Sequence, residues 1–231
     1  MEISTWEEAQ KSELAVWQRT ANDISEVLAE IAETAALVRF GAQHGLDTCT
    51  SVMELGIGPL GIGWSAFTPT TRAIGVDPLA RLAISTGNDH VDQFVAGLQK
   101  RTEFIQADAT KPLPLNEASF DLVVCDNVVD HTQSPLAILA EGRRLVRPDG
   151  HLLFTVNVFS AVGLVKWRHV TRRLHPNHTN VLCHPHSFLE GSLGNLLSGA
   201  GWQALVTDAP GRPTRRVAGH SYQVRVIARP V

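Results

Sequence analysis

The sequence is short of cysteine. Its three, Cys49, Cys125 and Cys183, are odd in number and fall in no metal-like or redox-like spacing. That argues against a disulfide framework and favours reduced thiols in a cytoplasm. No run of about 18 consecutive apolar residues occurs, so a membrane span is not expected. The N-terminal MEISTWEEAQKSELAVW is acidic and amphipathic rather than basic and then apolar, so a signal or transit peptide is not expected. Low-complexity tracts and internal repeats are absent. Charged residues are sparse, 19% of the chain, against about 25% in ordinary domains. They net to -3, which sets up no global field for nucleic acid or an anionic membrane.

What is present is 231 residues, enough for one domain and a modest appendage. Residues 5–40 place Leu14, Val16, Trp17, Ile24, Val27, Leu28, Ile31 and Leu37 at helical spacing, and Gly41 to Gly45 closes that region. From residue 50, short apolar runs alternate with helical stretches. The candidate strands are SVMEL, RAIGVD, EFIQAD, FDLVVCD, GHLLFTV, WQALVTDA and YQVRVIARP. Helices are expected at 61–67, 79–100, 134–146 and 186–200, the third opened by Ser134-Pro135. Alternating strands and helices predict a parallel sheet covered on both faces. The last two strands are joined by APGRPTRRVAGHS, a loop without a helix. A parallel pair needs a crossover, so this pair is expected to be antiparallel. Residues 159–184 fit no regular pattern and read as an insert.

The stretch VMELGIGPLGIG carries the first chemical signal. Gly56, Gly58 and Gly61 spell G-x-G-x-x-G between a strand and a helical stretch. Such spacing lets backbone turn sharply and approach a ligand closely. Asp77 ends the next strand, where a carboxylate can accept from both ribose hydroxyls. Together they indicate an adenosine ligand. Asp108 ends the third strand; its carboxylate can reach an adenine amine, and the Ala109 N–H a ring nitrogen. Glu54 stands just before the loop. A buried acid there suits a positively charged ligand or ties the loop's own N–H groups together, and it needs donors nearby.

The ordered set ELGIGPLG, GVD, QADA, PLPLNEASFDLVVCDNVVDH and LAEGRRLVRPDGHLLFTVN resembles the class I S-adenosylmethionine-dependent methyltransferases, in their broad type 11 small-molecule group. The likeness is close over residues 50–158. It implies an α/β fold: a Rossmann-like, doubly wound, mostly parallel seven-stranded sheet with an antiparallel last strand. Residues 1–45 would form an N-terminal helical lid on a methyltransferase domain of 46–231, with the 159–184 insert over the acceptor pocket. The resemblance further implies that S-adenosyl-L-methionine is held by Glu54, Gly56, Ile57, Gly58, Asp77, Pro78, Asp108, Ala109, Asp126 and Asn127, with S-adenosyl-L-homocysteine as product. One departure is visible: Leu60 stands where the family commonly has a third glycine, so Gly61 is the candidate for that close approach.

Methyl transfer from a sulfonium needs chiefly alignment, and a hydroxyl acceptor adds the need for a base. His131, in DNVVDHTQ, is the candidate base, set against a packing or capping histidine. Trp17, His131, His175 and His178 are candidate acceptor contacts. The histidines of LHPNHTNVLCHPHSF match no common zinc spacing, so no metal is expected. The basic runs WRHVTRR and RPTRR read as solvated loop charge. The expected partner is a small-molecule acceptor, methylated on oxygen or nitrogen, with neither nucleic acid nor membrane, and the insert is a candidate homodimer surface. Two rivals stand beside this reading. One is a nicotinamide-dependent oxidoreductase. The other is a non-catalytic cofactor-binding or scaffold protein of the same fold.

Overall fold

A computed structural model describes residues 6–174, 183–212 and 221–231. Two helices come first, α1 (Trp6–Thr20) and α2 (Ile24–Ala42). The expected single helix breaks between them because Asp23 caps the second: its carboxylate accepts from the N–H groups of Ser25 and Glu26 at 2.9 and 3.3 Å.

The strands follow as β1 (Ser51–Leu55), β2 (Arg72–Asp77), β3 (Glu103–Gln106), β4 (Phe120–Asp126), β5 (Val146–Phe159), a short β6 (Phe188–Leu189), β7 (Trp202–Asp208) and β8 (Ser221–Pro230). The sheet order is β3-β2-β1-β4-β5-β8-β7, with β6 paired to the far end of β5. All pairings are parallel except those of β8, which is antiparallel to both β5 and β7. So β7 and β8 do form the expected hairpin, and β8 is the reversed strand, inserted between β5 and β7. A nicotinamide-binding sheet of the doubly wound kind would carry its sixth strand parallel at that edge.

Alternation along β1 sorts the core. Met53 and Leu55 face one layer, with Val123, Phe154 and Trp202, under α4 (Pro135–Leu145) and the helix Leu193–Gly199. Trp202 is fully buried and its indole N–H donates to the Leu139 carbonyl at 2.9 Å. Val52 faces the other layer, with Leu37, Val38, Phe40, Trp64, Leu122, Val124, Leu153 and Ile227. Three of those residues belong to α2.

That second layer differs from expectation. The helix expected at 61–67 is a single 3-10 turn, Trp64–Ala66. The one expected at 79–100 shortens to α3 (Asp89–Gln99), because residues 79–88 are drawn into loop bonds: Leu82 N–H to the Pro59 carbonyl at 2.8 Å and Ser85 N–H to Ala21 at 3.0 Å. With no helix between β1 and β2, α2 covers that part of the sheet. Trp64 packs so tightly on α2 that a Cβ on Gly41 would run into its ring. Burying side chains such as Leu37, Val38 and Phe40 is worth about 1.5–3 kcal/mol each.

Candidate functional site

The carboxyl ends of β1 to β4 open into a cavity of about 630 Å³, roofed by α1 and α2. Ligands in open α/β sheets bind at this edge. All ten residues expected to hold a cofactor line it, from Glu54 at the β1 tip to Asn127 after β4. Trp17, from the middle of α1, lines it too, as does His131. His175 and His178 lie outside the described residues.

Glu54 faces the α2 side, like Val52, and bends back under the loop. Its carboxylate accepts the Trp64 N–H and fills the space that a Cβ on Gly63 would need. Burial raises its pKa to about 7, the Trp64 N–H opposing and Asp126 adding to the rise. The loop itself is bound at the other flank. Asp77 accepts from Gly58 N–H at 3.0 Å with one oxygen and from Leu79 N–H at 2.8 Å with the other. Burial takes Asp77 to about 6 against those two donors. Gly58 sits at φ +75, and a side chain there would stand 3.2 Å from the Trp17 ring. In this arrangement Asp77 sets the loop's shape from within, beyond the ribose contact its position alone suggested.

Asp108 is held in a turn, accepting from the Thr110 hydroxyl at 2.6 Å and N–H at 3.0 Å, with Lys111 3.3 Å away. Burial pushes its pKa up, but these donors outweigh it and the net shift is down. Asp126 accepts from the Thr155 hydroxyl and is raised by burial. Asn127 takes a left-handed φ of 50, with its side-chain oxygen accepting from Asn157 at 2.8 Å.

The roof adds residues that strand-end reasoning could not reach. Glu13 shares a face of α1 with Trp17, four residues on. Burial, then Asp77, lift its pKa to about 7, with the Trp17 side chain as its hydrogen-bond partner. Glu30 and Glu33 line the cavity from α2; Glu30 is lifted to about 7 by burial, then by Glu33 and Asp126. Among the described residues seven acids line the cavity: Glu13, Glu30, Glu33, Glu54, Asp77, Asp108 and Asp126. Arg225 of β8 is the arginine among the lining residues. The helical spacing of Glu13 with Trp17 and of Glu30 with Thr34 was the available signal for the roof.

At the end of the cavity beyond Asn127, His131 meets His184, with ring centroids 4.2 Å apart. Burial and the nearby His184 depress His131 to about 3, the Cys183 backbone acting the other way. His131 is therefore neutral, and its 3.7 Å approach to Glu13 is not an ion pair. A proton affinity that low makes it a weak general base. The histidine set of the 175–186 stretch was not expected to converge. Among its described members, His184 does converge, on Asp130 and His131. His186 stacks on Phe188 instead, at 6.3 Å.

The strand order, the reversed β8 and the loop after β1 define the class I methyltransferase fold. Residues 53–154 match the family described as a methyltransferase domain. The Burkholderia thailandensis 1,6-didemethyltoxoflavin-N1-methyltransferase, solved with its namesake substrate and S-adenosylhomocysteine, superposes with a TM-score of 0.64 at 18% identity, over 100% of this chain and 92% of that one. Magnesium protoporphyrin IX methyltransferase from Synechocystis PCC 6803, with bound S-adenosylhomocysteine, superposes with a TM-score of 0.60 at 16% identity, over 93% and 92%. Human thiol S-methyltransferase TMT1B is 29% identical over 125 residues, 52% of this chain and 47% of that protein. The chain spans less than half the length of the first curated relatives it matches. Among the described residues, no helix is long and apolar enough to cross a membrane.

Proposed function

We propose that this chain is an S-adenosylmethionine-dependent methyltransferase acting on an oxygen or nitrogen of a small molecule. The observation that carries the reading is the run of acids at four successive strand ends, Glu54, Asp77, Asp108 and Asp126, around one cavity.

The donor set fits that cofactor. An acid-lined cavity suits a ligand bearing a sulfonium and an ammonium, and among the described residues no cluster of basic side chains lines it. Backbone at Gly58 is held open by Asp77. Asp77 and Asp108 would take the ribose and adenine, Glu54, Gly56, Ile57 and Asn127 the methionine end, and Pro78 and Ala109 the walls. When bound, the cofactor supplies an already activated methyl group.

The chain's own contribution is then positioning and exclusion of water. Orientation of two reactants is worth about 7–11 kcal/mol of a barrier. Residues 1–45 act as the lid on 46–231: Glu13, Trp17, Glu30 and Glu33 overhang the strand tips. Cys183 and His184, at the end of the insert, close the acceptor side. An acceptor that must lose a proton would meet His131 and Glu13. Of the two, Glu13 has the proton affinity suited to neutral pH. A cytoplasmic setting belongs to this reading, supported by three unpaired cysteines.

Titration calorimetry with S-adenosylhomocysteine, against NAD as control, tests the reading directly. We expect stoichiometric uptake of the first alone. Labelled-methyl incorporation across hydroxyl, amine and thiol acceptors then locates the acceptor class. Absence of S-adenosylhomocysteine binding would overturn the proposal.

A further inference from the structure

We propose that Asp130, His131 and His184 form a binding site for a divalent transition-metal ion of the zinc class, at the acceptor end of the cavity. The three residues come from two segments of chain, and one ligand atom from each lies within 4.8 Å of the others. His131 Nε2 is 3.9 Å from Asp130 Oδ1, and His184 Nε2 is 3.9 Å from Asp130 Oδ2. An ion bonded at about 2.0–2.2 Å would draw them together through small side-chain rotations. The two segments are already tied: the His186 N–H donates to the Asp130 carbonyl at 3.3 Å.

Asp130 is 3% exposed, and its Oδ1 has no hydrogen-bond partner. A buried carboxylate oxygen without a donor is costly, and a cation offsets that cost. The rest of the constellation has the form of a metal site. Nδ1 of His131, also without a hydrogen-bond partner, faces Glu13 Oε1 at 3.7 Å, on the far side of the ring from Asp130. A carboxylate behind an imidazole orients it and directs the other ring nitrogen to the metal. Two imidazoles and one carboxylate suit zinc or ferrous iron better than magnesium or calcium, whose ligands are mostly oxygens. Cys183 is adjacent, but its side chain bonds to Ser12, so the donor set is Asp-His-His. Three protein ligands leave a fourth position. His131 and His184 both line the cavity, so that position faces it. A role in holding the acceptor's oxygen, nitrogen or sulfur rests on the methyl-transfer reading; ion binding itself does not.

The test uses untagged protein stripped with chelator, then titrated with Zn²⁺ by calorimetry and with Co²⁺ by visible absorption. We expect one equivalent of each per chain, with cobalt bands of a four- or five-coordinate nitrogen and oxygen site. His184→Ala and Asp130→Asn should each abolish the bands and the stoichiometric uptake. S-adenosylhomocysteine binding, measured in parallel, should persist in His184→Ala and so report a folded chain. No uptake by the wild-type protein would overturn the proposal, as would uptake unchanged in either variant. Absence of S-adenosylhomocysteine binding by the wild-type protein, with zinc uptake intact, would sink the methyl-transfer reading and leave the metal site standing.

Discussion

The Glu54 carboxylate lies where a Gly63 side chain would have to be, and from there it accepts the Trp64 N–H. Strand, loop and 3-10 turn are thereby locked through one side chain. Replacing Gly63 with alanine must expel the carboxylate. We expect a loss of about 1–3 kcal/mol, the usual cost of an unpaired buried polar group, read as a lower melting temperature. S-adenosylhomocysteine affinity should fall with it. Unchanged melting and binding would show that Glu54 moves freely.

Asp77 holds Gly58 and Leu79 N–H groups with separate oxygens. Asp77→Asn keeps the shape but supplies one acceptor in place of two. Hydrogen bonds to charged groups contribute about 1.5–3 kcal/mol. Calorimetry should therefore show S-adenosylhomocysteine binding weakened by about one to two orders of magnitude, with the fold intact by circular dichroism.

Stability should fall as pH rises through neutrality. Burial raises Glu13, Glu30, Glu54 and Asp130 to about 7 and Asp77 to about 6. The folded state then holds protons that the unfolded chain releases nearer pH 4, so each group's contribution is lost as pH passes its folded pKa. His131, depressed to about 3, acts in the opposite sense, but its contribution is complete once pH exceeds the unfolded value near 6.5. Between about pH 6.5 and 8 the carboxylates act alone. The melting temperature of the ligand-free protein should drop across that window, and Glu54→Gln should flatten the slope. A rising melting temperature would contradict the burial of these acids.

Phe40 is not among the residues lining the cavity and is 6% exposed in the layer closed by α2. Phe40→Ala should cost about 3–5 kcal/mol in urea unfolding. Removing residues 1–45 should leave the remainder unable to fold. A truncated chain that melted cooperatively would reduce α2 to a cover for the site alone.

The strands were legible to within a residue or two at β1, β2, β4 and β8, because β-branched runs flanked by turn residues have few other uses. The strand-end acids followed from them. Residues 61–67 and 79–88 were not legible as loops. Their apolar residues, Ile62, Trp64 and Leu82, pack against the N-terminal helices and α3 rather than along a helix of their own. The roof acids Glu13, Glu30 and Glu33 looked like solvated helix charge, since nothing local tells an acid over a cavity from one over water. The pairing of His131 with His184 spans 53 positions, beyond the reach of any spacing pattern.

Leu37 of α2 and Ile227 of β8 belong to one buried cluster. Nearly the whole chain separates them, so this layer has to wait for loop closure on the largest scale the sequence allows. On the ribosome, the earlier strands would emerge with one flank of the sheet bare. A stalled or C-terminally shortened product would keep its strand-end acids but expose Phe40, Trp64 and Leu153, and would be a target for chaperones and proteases.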